Sequence, residues 1–217
     1  MTDTATTLLI PGPAGPLEAC LEAAAAPAQP VLAIVCHPLP TEGGSMHNKV
    51  VTMLSRALRE SGVATLRFNF RGVGASAGQF DDGRGELDDL RAVARWARAH
   101  QPGRALWLAG FSFGAWISLR GCTELQADAL ISIAPPVGRR WGFDDLALPA
   151  VPWLVVQGEA DEIVDAHAVR AWLESLPQPP QQVWMPDTGH FFHRKLLDLR
   201  GAVQHEIQSW LPPPTAA

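Results

Sequence analysis

A chain of 217 residues is long enough for one domain with a sizeable core, and 47% hydrophobic with 18% charged residues excludes an intrinsically disordered chain. The 22 acidic and 17 basic residues give a formal net charge of −5, which argues against a nucleic-acid-binding surface. The sequence contains no apolar run of about 18 residues that would span a membrane.

Three cysteines, Cys20, Cys36 and Cys122, are odd in number and widely spaced. They form neither a zinc-binding pattern nor a disulfide framework. The start of the chain lacks a basic segment followed by an apolar one, so it does not resemble a secretory signal. We therefore expect a cytoplasmic protein with reduced thiols.

Two short segments, residues 6–10 and 17–21, flank a turn rich in proline and glycine and predict an antiparallel hairpin at one edge of a sheet. Six apolar runs follow and are typical of strands buried on both faces. These runs are residues 31–36, 64–70, 105–109, 129–134, 153–157 and 182–185.

Segments with a helical period of apolar residues separate most of these runs. They lie at residues 50–58, 87–97, 115–119, 169–176 and 196–210. Alternation of strands and helices predicts an α/β fold, a parallel sheet with helices on both faces. We expect one domain over residues 1–217, with a frayed tail at 212–217 that begins with three prolines.

The strand at 105–109 is followed by Gly110-Phe111-Ser112-Phe113-Gly114 and then by a helix. Gly-x-Ser-x-Gly between a buried strand and a helix predicts a sharp turn that exposes a nucleophilic serine above the sheet. The N-terminus of the helix favours negative charge that develops there. Ser112 is therefore the predicted nucleophile.

A serine hydroxyl needs a base and an orienting carboxylate to become a strong nucleophile. Acidic residues follow the strand at 153–157, and Asp161 is the predicted acid, with Glu159 and Asp165 as alternatives. His190 follows the strand at 182–185 and is the predicted base. Because ligands bind at the carboxyl ends of parallel strands, we expect these side chains to converge on Ser112.

The oxyanion of an acyl-transfer intermediate needs hydrogen-bond donors. The N–H of Phe113 is the first candidate. The second is Leu39 in the loop His37-Pro38-Leu39-Pro40, because neither proline has an N–H. We expect His37 to hydrogen-bond this loop rather than to act as a second base.

Two further loops carry structural predictions. Gly72-Val73-Gly74 lacks the third glycine and the following helix of a dinucleotide-binding loop, so Arg71 is expected to tie this turn down. Ser45 or Asn48 is expected near the N-cap of the helix that follows, and Met46 is expected to border the active-site pocket.

These residues resemble the α/β-hydrolase superfamily from about residue 31 to 211, in the motif at 110–114, in Asp161, in His190 and in the loop at His37. More narrowly, segments 37–40, 43–50 and 66–74 are similar to small bacterial serine hydrolases akin to dienelactone hydrolases and to acyl-peptide or thioester hydrolases. The resemblance implies an eight-stranded, mostly parallel sheet with one antiparallel strand. Dienelactone hydrolases carry cysteine where this chain has Ser112, and relatives often carry histidine at the position of Leu39 and an acidic residue at that of His47. These differences weaken any transfer of the substrate from the family to this chain.

Many superfamily members insert a lid between the strands that correspond to 129–134 and 153–157, but the segment here is too short for one. The predicted open pocket suits modest apolar acyl groups. Its expected lining residues, beside Leu39 and Phe113, are Met46, Phe143, Val164 and Phe191. Although His193 follows His190 by three residues, no third metal ligand has suitable spacing.

The sequence thus predicts a serine esterase or thioesterase that acts on a small molecule through an acyl-enzyme, without a cofactor, a nucleic-acid partner or a membrane partner. A non-catalytic ligand-binding module on the same fold, or a peptidase, remains an alternative. The sequence does not indicate an oligomeric state.

Overall fold

The computed structural model of the protein describes residues 5–25, 27–143 and 146–212. Its strands are Ala5–Gly12 (β1), Gly15–Glu22 (β2), Val31–Cys36 (β3), Ala64–Phe68 (β4), Ala105–Phe111 (β5), Ala129–Ile133 (β6), Trp153–Gly158 (β7) and Gln181–Met185 (β8). Its α-helices are Lys49–Glu60 (α1), Arg84–His100 (α2), Phe113–Cys122 (α3), Ala166–Ser175 (α4) and Leu196–Ile207 (α5), and short 3₁₀ turns lie at Pro40–Glu42 and Gln208–Trp210.

The eight described strands form one sheet in the order β1-β2-β4-β3-β5-β6-β7-β8. β2 pairs antiparallel with both β1 and β4, and the other neighbouring strands pair parallel. β2 is therefore the one strand of this sheet that runs against the other seven. The expected mostly parallel sheet with an N-terminal antiparallel hairpin is confirmed.

Helices cover both faces of the sheet, as the alternation of elements predicted. α1 and α5 pack on one face through residues such as Leu54 and Val203. α2, α3 and α4 pack on the other through Val93, Ile117 and Leu173. Every residue of β3, β6 and β7 is buried, which explains why these strands are nearly continuous apolar runs.

Among the six predicted apolar runs, two strand ends differ from the prediction by two residues, and the others agree to within one. β4 ends at Phe68: the N–H of Asn69 still donates to the Glu18 carbonyl of β2 at 2.8 Å, but the N–H of Phe70 donates to the ring of His37 at 3.0 Å instead of to a strand. β5 continues two residues further than predicted, since its last residues still pair with β3 and β6. The extended β5 carries the chain directly into the serine turn.

The connection from β6 to β7 contains no helix or strand in its described residues, 134–143 and 146–152. The protein therefore has no lid domain at this point, as expected. Of the predicted frayed tail, residues 213–217 lie outside the described residues. None of the helices in the described part of the chain is both long and apolar enough to cross a membrane.

Candidate active site

Ser112 occupies the sharp turn between β5 and α3. Its φ of +52° and ψ of −119° form a backbone conformation that residues with a side chain rarely adopt. A Cβ at Gly110 would lie 2.2 Å from the carbonyl oxygen of Gly114, and a Cβ at Gly114 would lie 2.3 Å from that of Cys36. Both motif glycines are required because strand, turn and helix leave no room for a side chain at these positions.

His190 lies in the loop after β8, beside the rings of Phe111 and Phe191, and its side chain is 3% exposed. Its Nε2 is 3.1 Å from Ser112 Oγ, and its Nδ1 is 2.8 Å from Asp161 Oδ2. An ionised carboxylate only accepts hydrogen bonds, so Nδ1 carries the proton and donates a hydrogen bond to Asp161. Nε2 is then the acceptor for the serine hydroxyl.

The Asp161 side chain, in the loop after β7, is completely buried. Four groups donate hydrogen bonds to it: the N–H groups of Ile163 (2.9 Å) and Val164 (2.7 Å), Gln157 Nε2 (2.9 Å) and His190 Nδ1 (2.8 Å). Burial raises the pKa of this carboxyl, but the hydrogen bonds that it accepts, above all the one from His190, outweigh burial and hold the pKa below its usual value of 3.8. Asp161 is therefore ionised at neutral pH.

The two alternative acids contact other groups. Glu159 pairs with Arg170 at 3.5 Å, and both side chains are partly exposed to solvent. Asp165 is the N-cap of α4 and accepts a hydrogen bond from the N–H of His167 at 2.9 Å. Asp161 is thus the one of the three predicted candidates that the structure brings to the imidazole of His190.

Gln157, in β7, is a site residue that sequence reasoning missed. Its Nε2 donates to Asp161 Oδ2 at 2.9 Å and to the Gly158 carbonyl at 3.2 Å, and the residue is fully buried. Its Oε1 accepts no hydrogen bond from the described residues. A polar residue at the end of an apolar, buried strand was the available sign in the sequence.

Phe113 and Leu39, the predicted oxyanion donors, line the same cleft as Ser112. Phe113 is the first residue of α3, where an N–H has no partner within the helix. The N–H of Leu39 donates no hydrogen bond to another described residue. The carbonyl of Leu39 accepts from Glu42 at 3.1 Å and Gly44 at 3.0 Å, which closes its loop into a tight turn.

His37 is completely buried beneath the Leu39 loop. The N–H of Phe70 donates to His37 Nε2 at 3.0 Å, so Nδ1 carries the proton and donates to the Pro38 carbonyl at 2.6 Å. Burial lowers the pKa of His37 to about 4, against the opposing effect of the Pro38 hydrogen bond. His37 is a neutral structural residue, as predicted, and it ties the loop to the end of β4.

Met46 was expected to border the cleft, but it does not lie among the described lining residues and is 2% exposed. Its N–H donates to Asn69 Oδ1 at 2.8 Å, and its carbonyl accepts from Arg67 Nη1 at 2.5 Å. Arg67 in turn pairs with Glu22 at 2.8 Å. These contacts from the end of β4 and from β2 hold the Met46 segment against the sheet, which corrects the prediction.

In the same segment, Asn48 is the N-cap of α1.

Phe143 was also expected in the cleft and is likewise absent from its described lining. It is 6% exposed, and its ring packs on Trp172 of α4 at a centroid distance of 4.9 Å. Trp141, two residues earlier, lines the cleft instead and packs on Phe113 at 4.9 Å. Phe143 therefore packs against the apolar surface of α4 rather than lining the cleft.

The cleft above Ser112 has a volume of about 900 Å³ and is lined by Val164 and Phe191 among other apolar residues. Sequence reasoning missed four charged residues in its lining, namely Glu42, Arg139, Arg140 and Glu162. No group of three His, Cys, Asp or Glu side chains in the described ranges is arranged to hold a metal ion.

Arg71 ties down the turn after β4, as predicted. Its N–H and its guanidinium both donate to the fully buried Asp89 of α2, with Nη2 at 2.8 Å from Oδ1. The hydrogen bonds to Asp89 raise the pKa of Arg71 above its usual value. A Cβ at Gly85 would lie 2.0 Å from Nη1, so the start of α2 is shaped to accept this side chain.

Comparison with known proteins matches residues 40–206 to the family model of the alpha/beta hydrolase domain. The chain is 60% identical to XC6422 from Xanthomonas campestris, a member of a/b serine hydrolases without lid, with a TM-score of 0.94 over 98% of both chains. It is 45% identical to an alpha-beta serine hydrolase homologue from Coxiella burnetii, with a TM-score of 0.90 over 94% of this chain and 98% of that one.

A further relative is the uncharacterized protein RP471 from Rickettsia prowazekii (strain Madrid E), which is 34% identical in an alignment of 201 residues that covers 88% of this chain and 84% of that protein. The family model covers well over half of the chain, and the two solved structures named above match at least 94% of it. The protein belongs to the α/β-hydrolase family and is similar to its small serine hydrolases without a lid.

Proposed function

We propose that the protein cleaves small carboxylic esters or thioesters through an acyl-enzyme on Ser112. The observation that carries the proposal is the hydrogen-bonded series from Ser112 Oγ through His190 to Asp161, with distances of 3.1 and 2.8 Å. A hydroxyl, an imidazole and an ionised carboxylate in this order form the arrangement that activates a serine nucleophile.

In the proposed mechanism, Ser112 Oγ attacks the acyl carbon while His190 Nε2 takes the hydroxyl proton. The tetrahedral intermediate collapses, the carbon–oxygen or carbon–sulfur bond to the leaving group breaks, and the leaving group receives the proton from His190. Water then attacks the acyl-enzyme with the same assistance, which releases the carboxylic acid and restores Ser112. Asp161 stays ionised and stabilises the imidazolium in both halves.

The N–H groups of Phe113 and Leu39 are the proposed donors to the oxyanion. Both residues lie in the lining of the Ser112 cleft, and the N-terminus of α3 adds a favourable dipole there. These fixed donors favour the charge of the intermediate over the neutral carbonyl of the substrate.

The shape of the cleft supports a small, partly apolar substrate. Leu39, Phe113, Val164 and Phe191 provide apolar walls, and no lid domain covers the opening. The relatives named above as serine hydrolases are consistent with this class. We propose that the site accepts modest apolar acyl groups and discriminates weakly among substrates.

The test is a panel of nitrophenyl esters, acyl thioesters and peptide amides of different acyl length, assayed with the wild type, Ser112→Ala and His190→Ala. Loss of either side chain should lower kcat by several orders of magnitude. A fluorophosphonate reagent should label the wild type and not Ser112→Ala. Equal hydrolysis by all three proteins would contradict the proposal.

The same panel separates the alternatives. A non-catalytic binding module would leave Ser112 inert towards the fluorophosphonate while an ester ligand still bound saturably. A peptidase would cleave the amides at rates comparable with those of the esters.

A further inference from the structure

Glu162 follows Asp161 directly, and its carboxylate contacts the same histidine. Glu162 Oε2 accepts a hydrogen bond from the backbone N–H of His190 at 3.0 Å. The loop after β7 therefore holds His190 at two points: Asp161 binds the imidazole, and Glu162 binds the main chain.

The loop that carries His190 is irregular. Asp187, Phe192 and Arg194, all within four residues of His190, have φ values of +50°, +52° and +61°. Such conformations are unfavourable for residues with side chains and persist only where the surrounding structure determines them. The position of His190 thus depends on contacts from outside its own loop.

The contact with Glu162 is fitted closely to the loop. A Cβ at Gly189 would lie 2.5 Å from Glu162 Oε2, so the glycine leaves the space that the carboxylate occupies. A Cβ at Gly158 would lie 2.2 Å from the Thr188 carbonyl oxygen, so the loops after β7 and β8 also approach closely where they begin. Glycine at both positions allows the acid loop and the histidine loop to touch.

We propose that Glu162 is a positioning residue of the hydrolase: it fixes the main chain of His190 so that Nε2 stays within reach of Ser112 Oγ through the catalytic cycle. This inference rests on the proposed function of Ser112 and His190. A displacement of about 1 Å in a reacting group lowers rates by up to about a hundredfold, so a backbone anchor matters even though it touches no reacting atom.

Two substitutions separate the hydrogen bond from other effects of the side chain. Glu162→Gln keeps a carbonyl oxygen that accepts the His190 N–H, whereas Glu162→Ala removes the acceptor. Glu159→Ala is the matched control, because Glu159 lies in the same loop, is solvent-exposed and pairs with Arg170 rather than with the histidine loop. Thermal unfolding of each variant checks that it is folded.

With a nitrophenyl butyrate substrate, Glu162→Ala should lower kcat by about tenfold or more while KM changes by less than roughly threefold. Glu162→Gln should keep kcat within roughly threefold of the wild type, and Glu159→Ala should match the wild type. The inference is overturned if Glu162→Ala behaves like Glu159→Ala, or if Glu162→Gln loses as much kcat as Glu162→Ala.

A second readout does not depend on turnover. The downfield proton resonance of His190 Nδ1–H reports its hydrogen bond to Asp161 in solution. We expect this resonance to persist in Glu162→Gln and to broaden in Glu162→Ala, and an unchanged resonance in Glu162→Ala would overturn the inference. Failure of the proposed function would look different, because the wild type itself would then show no hydrolysis that depends on Ser112.

Discussion

The proposed oxyanion donors are backbone N–H groups, so truncation of a side chain cannot remove them. Leu39 offers a direct test, because its φ of −51° lies within the range of proline. Leu39→Pro should remove the N–H without changing the backbone angle and should lower kcat by about a hundredfold or more, as loss of one oxyanion donor does. Steady-state hydrolysis of a nitrophenyl ester measures this effect.

Leu39→Ala is the control, since it shortens the side chain but keeps the N–H. It should change kcat far less than Leu39→Pro. If the two variants had the same kcat, the assignment of this N–H as an oxyanion donor would be wrong.

Gly114, where α3 leaves the serine turn, should tolerate substitution far less than Gly201 in α5. Gly114→Ala places a Cβ 2.3 Å from a backbone carbonyl oxygen, and the expected loss in unfolding free energy is more than about 2 kcal/mol. In Gly201→Ala, in α5, the added Cβ has no atom within 4 Å, and the unfolding free energy should increase by about 0.5–1 kcal/mol. Urea unfolding of both variants measures the contrast, and equal effects would contradict this account of the turn.

Gln157 is expected to affect activity more than stability. Gln157→Leu removes a donor to Asp161 Oδ2, but it also removes a buried Oε1 that accepts no hydrogen bond from the described residues. Kinetics should show kcat lower by about tenfold, with an unfolding free energy within about 1 kcal/mol of the wild type. Gln181→Leu, at an exposed position of β8, is the control and should leave kcat unchanged. If Gln157→Leu had the same kcat as the wild type, the hydrogen bond from Gln157 to Asp161 would not be needed for activity.

At the scale of elements, His37 joins two of them: the loop after β3 and the end of β4. Its ring donates to Pro38 and accepts from Phe70 in a site without solvent. Because the imidazole is buried in its neutral form, the connection between the two elements depends on pH. Protonation would place an unpaired charge beneath the loop of Leu39.

The pKa of His37 is about 4 in the folded protein and 6.5 in an exposed chain. Above about pH 6.5 its stabilising contribution is complete. As the pH falls from about 6.5 towards 4, the unfolded chain takes up a proton that the folded protein does not, so the unfolding free energy should decrease by about 3 kcal/mol.

His37→Asn serves as the reference, since its amide can still donate to Pro38 but does not titrate. Urea unfolding at several pH values should show the wild type losing its advantage over His37→Asn as the pH decreases from 7 to 4. A difference that stays constant over this range would contradict the buried neutral state of His37.

At the scale of the whole molecule, the direct connection from β6 to β7 leaves the cleft open. Enzymes with a mobile lid gain activity when a conformational change uncovers the site. Here no lid domain has to move. The rate of hydrolysis of a sparingly soluble ester should therefore increase smoothly with the concentration of dissolved substrate and should not rise further when ester droplets form. An abrupt increase at the solubility limit would indicate a closing segment that this structure lacks in its described residues.

Much of the fold and the core of the candidate site follow from local patterns. Buried parallel strands need nearly continuous apolar runs, and helices that cover a sheet need an apolar stripe. The order of strands and helices can therefore be predicted from the sequence. The serine turn is equally local, because the motif combines the nucleophile with the glycines that the turn requires. The strand ends that carry Asp161 and His190 follow from the same alternation.

The tertiary structure alone decided which groups support these residues. Glu162 contacts the main chain of His190, 28 residues further along the chain, and no spacing pattern encodes that contact. Gln157 is recognisable as a polar residue in a buried strand, but only the fold of the loop after β7 brings Asp161 to its side chain. Met46 and Phe143 lie outside the predicted pocket for the same reason. Hydrogen bonds with Asn69 and Arg67 hold Met46 against the sheet, and the ring of Phe143 packs on α4. Sequence patterns determine which residue types reach the carboxyl edge of the sheet, whereas side-chain packing across elements determines which of them meet.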